Sequence, residues 1–151
     1  MSEVLAGLAT LYGNEVAEGR LTVTEPRGET ALRADAAQLR QALVNLVKNG
    51  LEAVDDNGRV SVSAVSADHS VEITVADTGP GLTEDQRAHL FVPGFTTKSD
   101  GSGLGLTIVE RIVNEHDGTM SVDSETGRGT TFRIRLPVAG PAPDRARATE
   151  E

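Results

Sequence analysis

Ser70-Val71-Glu72-Ile73-Thr74-Val75-Ala76 runs straight into Asp77-Thr78-Gly79-Pro80-Gly81, and this stretch decides the fold. Its first part alternates apolar and polar residues, the period of a strand with one covered face. Its second part ends the strand with a carboxylate and glycines, where backbone N–H groups can approach a ligand with no Cβ in the way. Just upstream, Arg59–Ser66 (RVSVSAVS) alternates in the same manner. The two runs predict neighbouring antiparallel strands. Downstream, a second glycine cluster, Gly101-Ser102-Gly103-Leu104-Gly105, opens an amphipathic helical pattern over Leu104–His116. A helix beginning there offers free N–H groups and the positive end of its dipole, which suits phosphate.

Further from this centre, Asp35 reads as the N-cap of a long helix through about Val54. Leu39, Ala42, Leu43, Leu46, Val47 and Gly50 form its apolar face. Residues 3–18 have helical spacing, Arg20–Thr24 is strand-like, and Thr30–Arg33 is a second short strand candidate. A short helix is expected near Thr83–His89, capped by Thr83. Phe91–Ser102 carries four breakers and reads as a loop. Thr119–Asp123 and Thr130–Leu136 read as strands around a Glu125–Gly129 turn. From Pro137 onward, Pro, Ala and charge predict a disordered tail. Helices and mostly hairpin-linked strands in this order predict an α/β two-layer sandwich: one mixed, mainly antiparallel sheet with helices on one face.

The totals narrow the function. The chain has 151 residues, enough for one domain with a real core, and a formal net charge of −9. That charge argues against nucleic-acid or anionic-membrane binding. With no cysteine, disulfides and cysteine-based metal sites are excluded. No run has the length of a membrane span, and the chain reads as soluble and cytoplasmic. His69, His89 and His116 lack partners at metal-ligand spacing, and no Ser/His/Asp arrangement is present. The Gly101–Gly105 cluster is neither a Walker P-loop nor a Rossmann fingerprint.

Three stretches can carry chemistry, and each has an ordinary reading beside the functional one. On the long helix, Asn45, Asn49 and Glu52 fall within about 60° of one another, with Lys48 just outside. They are either a solvated helix face or a polar edge, where an amide oxygen is a suitable hard ligand for Mg²⁺. Asp77 is either a turn residue or a carboxylate at a pocket floor, accepting from an exocyclic amine such as that of adenine. The 91–102 loop, with Thr96, Thr97 and Lys98, is either a surface loop or a lid hinged on glycines. Phe91 and Phe95 would anchor that lid.

In order, these patches resemble the catalytic, ATP-binding domain of bacterial two-component sensor histidine kinases, within the gyrase, mismatch-repair and chaperone ATPase superfamily. Asn45-Leu46-Val47-Lys48-Asn49-Gly50-Leu51-Glu52-Ala53-Val54 resembles the N box, and Asp77–Leu82 the first glycine box. Leu90–Lys98 resembles the F box, and Gly101–Leu106 the second glycine box. Glu-Ala-Val and Phe-Thr-Thr-Lys look most like the nitrogen-regulation branch. The resemblance covers roughly residues 20–137 and implies the family's Bergerat-type ATP-binding fold, with ATP and Mg²⁺ as cofactors. Residues 1–19 would be the linker helix from a dimerising hairpin, 20–137 the catalytic domain and 138–151 the tail.

The implied roles follow residue by residue. Asn49 would be the Mg²⁺ ligand and Asn45 a phosphate-side neighbour. Asp77 would bind the adenine amine, with Gly79 and Gly81 framing the base. Lys48 and Lys98 are candidates for phosphate contact. Thr96, Thr97, Gly101, Ser102, Gly103, Leu104 and Gly105 would belong to the lid and helix start over the triphosphate. Asn45 stands where the superfamily's hydrolases carry a water-activating glutamate, which favours phosphoryl transfer to a protein group. The sequence departs from the pattern at Gly50, Glu52, Val92 and Asp117. The acceptor histidine is expected on a separate dimerisation domain, with a response regulator as indirect partner. This chain is therefore expected to be a monomer that does not label itself. The alternatives are a serine kinase of the anti-sigma-factor type and a non-catalytic nucleotide-binding module.

Overall fold

A computed structural model describes residues 1–54, 57–90 and 105–140. The chain opens with α1 (Ser2–Leu11) and α2 (Gly13–Ala17), followed by β1 (Leu21–Val23) and α3 (Ala36–Ala53). The hairpin β2 (Val60–Ala67) and β3 (Ser70–Asp77) comes next, then α4 (Glu84–Ala88) and α5 (Gly105–Glu115). A second hairpin, β4 (Thr119–Glu125) and β5 (Gly129–Pro137), completes the order.

The strands form one five-stranded sheet in the order β1-β2-β3-β5-β4. β1 runs parallel to β2, and the other neighbours are antiparallel. This is the mixed, mainly antiparallel sheet that the alternation predicts. Every second residue faces the helices: Val60, Val62 and Ala64 of β2, Val71, Ile73 and Val75 of β3, and Phe132, Ile134 and Leu136 of β5 are buried. They meet Leu39, Leu43, Leu46 and Val47 of α3, Val109, Ile112 and Val113 of α5, and Val4, Leu5 and Leu8 of α1. The opposite face is polar. Arg135 reaches Glu72 at 3.4 Å, and Arg133 pairs with Asp123. Such exposed pairs add little stability.

Local chemistry explains the element ends. The Asp35 carboxylate accepts from the Gln38 N–H at 3.1 Å, a cap that contributes about 1 kcal/mol. Thr83 and Gln86 form a full capping box on α4. Two expectations are corrected. The helical spacing over residues 3–18 yields two helices, because Tyr12 leaves helical geometry at φ −102, ψ 35, just before the weak helix former Gly13. Leu11 (61 % exposed) and Val16 (38 %), both on that helical stripe, lie uncovered. Thr30–Arg33 forms no strand. It is a short segment between the Gly28 turn and the Asp35 cap, and the Arg33 N–H finds the Val138 carbonyl at 3.0 Å instead of a ladder. Val138, at the start of the expected tail, donates to the His69 carbonyl at 2.9 Å and packs against the core.

Candidate nucleotide site

The site lies where the end of β3, the second half of α3 and the start of α5 converge. Gly50 makes this approach possible. A Cβ there would lie 3.0 Å from Val60 Cγ2 and 3.5 Å from Asp77 Cβ, so α3 sits directly over the last residue of β3. Asp77 Oδ1 accepts from the Gly79 N–H at 2.9 Å, which bends the chain sharply off the strand. Gly79 then passes under the end of α3, where a Cβ would lie 3.0 Å from the Ala53 carbonyl oxygen.

Asn49 lies one helical turn before Ala53. Its Nδ2 would be 4.0 Å from a Cβ at Gly105, the first residue of α5. The amide edge of α3 therefore faces the beginning of α5, the positive end of that helix dipole. One turn earlier, Asn45 Nδ2 is buried with no hydrogen-bond partner among the described residues. A buried donor left unmade costs about 1–3 kcal/mol, and this one is suited to an anionic oxygen.

The polar edge read from the helical wheel divides in space. Asn49 faces α5, whereas Glu52 acts on Tyr12 at the α1–α2 junction. Burial pushes the Tyr12 phenol above its ordinary value of 10.0, and Glu15 and then Glu52 push it further. Lys48 is exposed. Thr96, Thr97, Lys98, Gly101, Ser102, Gly103 and Leu104, with Phe91 and Phe95, lie outside the described residues.

The β4–β5 hairpin, which reads as a plain turn in sequence, walls the first glycine cluster. Gly81 has φ +75, and a Cβ there would run into the Glu125 carbonyl. Gly129 has φ +106, and a Cβ there would run into the Asp77 carbonyl. The Gly127 N–H donates to the Pro80 carbonyl at 2.7 Å. The available signal was Ser124 and Thr130: small hydroxyl residues at strand ends beside a glycine-rich turn.

None of the histidines forms a metal cluster, and among the described residues no group of three His, Asp or Glu could hold an ion. His116 is buried, and both its ring nitrogens are engaged. Nδ1 donates to the Ile112 carbonyl at 2.7 Å, so Nε2 accepts from the Asp35 N–H at 3.1 Å. His116 thus ties the end of α5 to the cap of α3. Asp117, beyond it, is left-handed at φ +55.

The sandwich thus brings a carboxylate at a strand end together with an asparagine edge that faces a helix start. Residues 34–140 match the family described as histidine kinase-, DNA gyrase B-, and HSP90-like ATPase, and the chain belongs to it. Its relatives include the sensor histidine kinase ZraS of Escherichia coli K12, 44% identical over 71% of this chain and 23% of that protein. Sporulation kinase C of Bacillus subtilis is 35% identical over 91% of this chain and 33% of that protein. The chain thus spans about a quarter to a third of these curated relatives. Among solved structures, the catalytic domain of histidine kinase ThkA superposes with a TM-score of 0.80 at 26% identity, covering 96% of this chain and 95% of that one. Full-length ShkA, solved in complex with AMPPNP, gives a TM-score of 0.72 at 31% identity over 93% of this chain and 30% of that one. The expected family and fold are borne out; the nitrogen-regulation branch is not distinguished by these relatives. Among the described residues, no helix is long and apolar enough to cross a membrane.

Proposed function

We propose that this chain binds Mg·ATP and passes the γ-phosphate to a histidine on a dimerisation domain of a two-component sensor kinase. The observation that carries the reading is the buried Asn45 Nδ2, without a partner among the described residues, beside Asn49 and opposite the start of α5. That orphaned donor and the glycine cradle beside Asp77 fit a nucleotide with its phosphates at α5. The AMPPNP named for ShkA supports the same ligand class.

Asp77 would accept from the base amine, with Gly79 and Gly81 framing the ring. Asn49 would offer its amide oxygen to Mg²⁺, and Asn45 would donate to a phosphate oxygen. Lys48 is a candidate for phosphate contact, as are Thr96, Thr97, Lys98 and the Gly101–Gly105 segment. When bound, ATP supplies the transferable phosphoryl group and Mg²⁺ neutralises charge on it. The chain's contribution is to hold and orient. An amide at Asn45 cannot take a proton from water, which disfavours hydrolysis. His116 is bonded inside the body at both nitrogens, which supports an acceptor elsewhere.

The test has two arms. Calorimetry with a non-hydrolysable ATP analogue and Mg²⁺ should show binding; no heat sinks the reading. Incubation with ATP and a separately made histidine-bearing hairpin should give an acid-labile, base-stable phosphate on the hairpin. An acid-stable phosphoserine, or strong labelling of the chain alone, would overturn histidine transfer.

A further inference from the structure

Asp77, Thr130 and Ser124 form one row across three neighbouring strands: Asp77 pairs with Thr130, and Thr130 with Ser124. Residues directly opposite share a face of the sheet, with Cβ atoms about 5 Å apart. The same face continues along β5 as Phe132, Ile134 and Leu136, all buried and apolar. The polar row is confined to the end of the sheet that carries Asp77.

The hydrogen bonds allow the row a direction that leads to Asp77. Ser124 Oγ accepts from the Leu82 N–H at 2.7 Å. Its single proton has two acceptors in reach, Thr130 Oγ1 at 3.0 Å and the Gly129 carbonyl at 3.2 Å. A hydroxyl that receives from one side is the better donor on the other. When the Ser124 proton goes to Thr130, the Thr130 proton must point away from Ser124. Across β5, the neighbour on that far side is Asp77.

We propose that Ser124 is a positioning residue of the nucleotide site, anchoring the Leu82 backbone and orienting the Thr130 hydroxyl toward the base-binding end beside Asp77. It touches no reacting atom. It acts through Thr130. This inference rests on the reading of Asp77 as the acceptor for a base amine. The segment keeps other ties to the hairpin: the Gly127 N–H on the Pro80 carbonyl, and Thr126 Oγ1 on the Leu82 carbonyl at 3.4 Å. Ser124→Ala loses the Leu82 tie, but these other ties should hold the loop in place, so that the Thr130 orientation is what the binding reads.

The experiment measures calorimetric affinity for Mg·ATP and for its analogue lacking the 6-amino group, in the wild type, Ser124→Ala and Ser124→Thr. Wild type should prefer ATP. Ser124→Ala should lose about five- to tenfold in ATP affinity, the effect of one buried hydrogen bond. Its affinity for the 6-deamino analogue should change less than about twofold, so the preference collapses. Ser124→Thr, which keeps the hydroxyl on a strand-compatible side chain, should restore the preference. Equal weakening of both ligands marks a merely structural role and overturns the inference, as does an Ala variant that keeps the wild-type preference. A Thr variant that behaves like Ala also overturns it. A wild type with no preference overturns the Asp77 reading itself, and the Ser124 inference falls with it.

Discussion

Asp77→Asn separates recognition from folding, because the local geometry leaves the amide no good orientation. Asp77 Oδ1 accepts from the Gly79 N–H at 2.9 Å, a bond that shapes the turn. An asparagine can keep that bond by placing its oxygen there, but its NH₂ then occupies the second carboxylate position. A base amine arriving at that position meets a donor. Flipping the amide restores an acceptor for the ligand and sets NH₂ against the Gly79 N–H. Either orientation makes one donor–donor clash. Loss of a charge-assisted bond costs about 1.5–3 kcal/mol and an unmade buried donor about 1–3 kcal/mol, so about 3 kcal/mol is expected in binding. That is roughly a 100-fold weaker Kd for Mg·ATP. Folding should change by less than about 1 kcal/mol, because the first orientation preserves the turn, and Tm should move by no more than about 4 °C. Calorimetry for the affinity and a thermal melt for the fold provide the two readouts. A variant binding ATP within threefold of wild type would refute the role given to Asp77. A large fall in Tm would refute the argument that the turn survives.

Other perturbations test the frame. His116→Leu removes a bond at each ring nitrogen and leaves the Asp35 N–H without its acceptor; a loss of about 2 kcal/mol is expected in urea unfolding, with His116→Gln retaining part of it. Asp68→Gly, in the turn between β2 and β3, should stabilise by about 1 kcal/mol, because glycine adopts φ +52 without a Cβ penalty; an unchanged urea midpoint would count against this. Tyr12 is the chain's one tyrosine and there is no tryptophan, so phenolate absorbance reports it alone. Its folded pKa is raised, so its contribution to stability is full below pH 10 and is lost as pH rises through the folded value. The absorbance midpoint should lie above 10.0 in the folded chain and fall to the ordinary value in denaturant; coincident curves would contradict the burial of the ring.

Much of this molecule was legible because its signals are local. Alternation in Arg59–Ser66 and Ser70–Ala76 places β2 and β3 to within a residue or so, and Asp35 reads as a cap from its place ahead of an apolar face. A period of two, a period near 3.6 and a polar residue ahead of an apolar face are written in adjacent residues. Thr30–Arg33 misled because alternation over four residues does not supply a neighbouring strand.

The sequence by itself determined most of the strands, the long helix with Asn45 and Asn49, and the two glycine clusters, the first of which opens with Asp77. Only the tertiary structure decided what surrounds them. It inserted β5 between β3 and β4, so that Ser124 and Thr130 line up with Asp77. It joined His116 to Asp35 across 81 residues of chain, and it brought the charge of Glu52 within range of Tyr12 while Asn49 met α5. Strand order and helix register are set by packing between distant segments. No spacing along the chain records which distant backbone will stand opposite a given side chain.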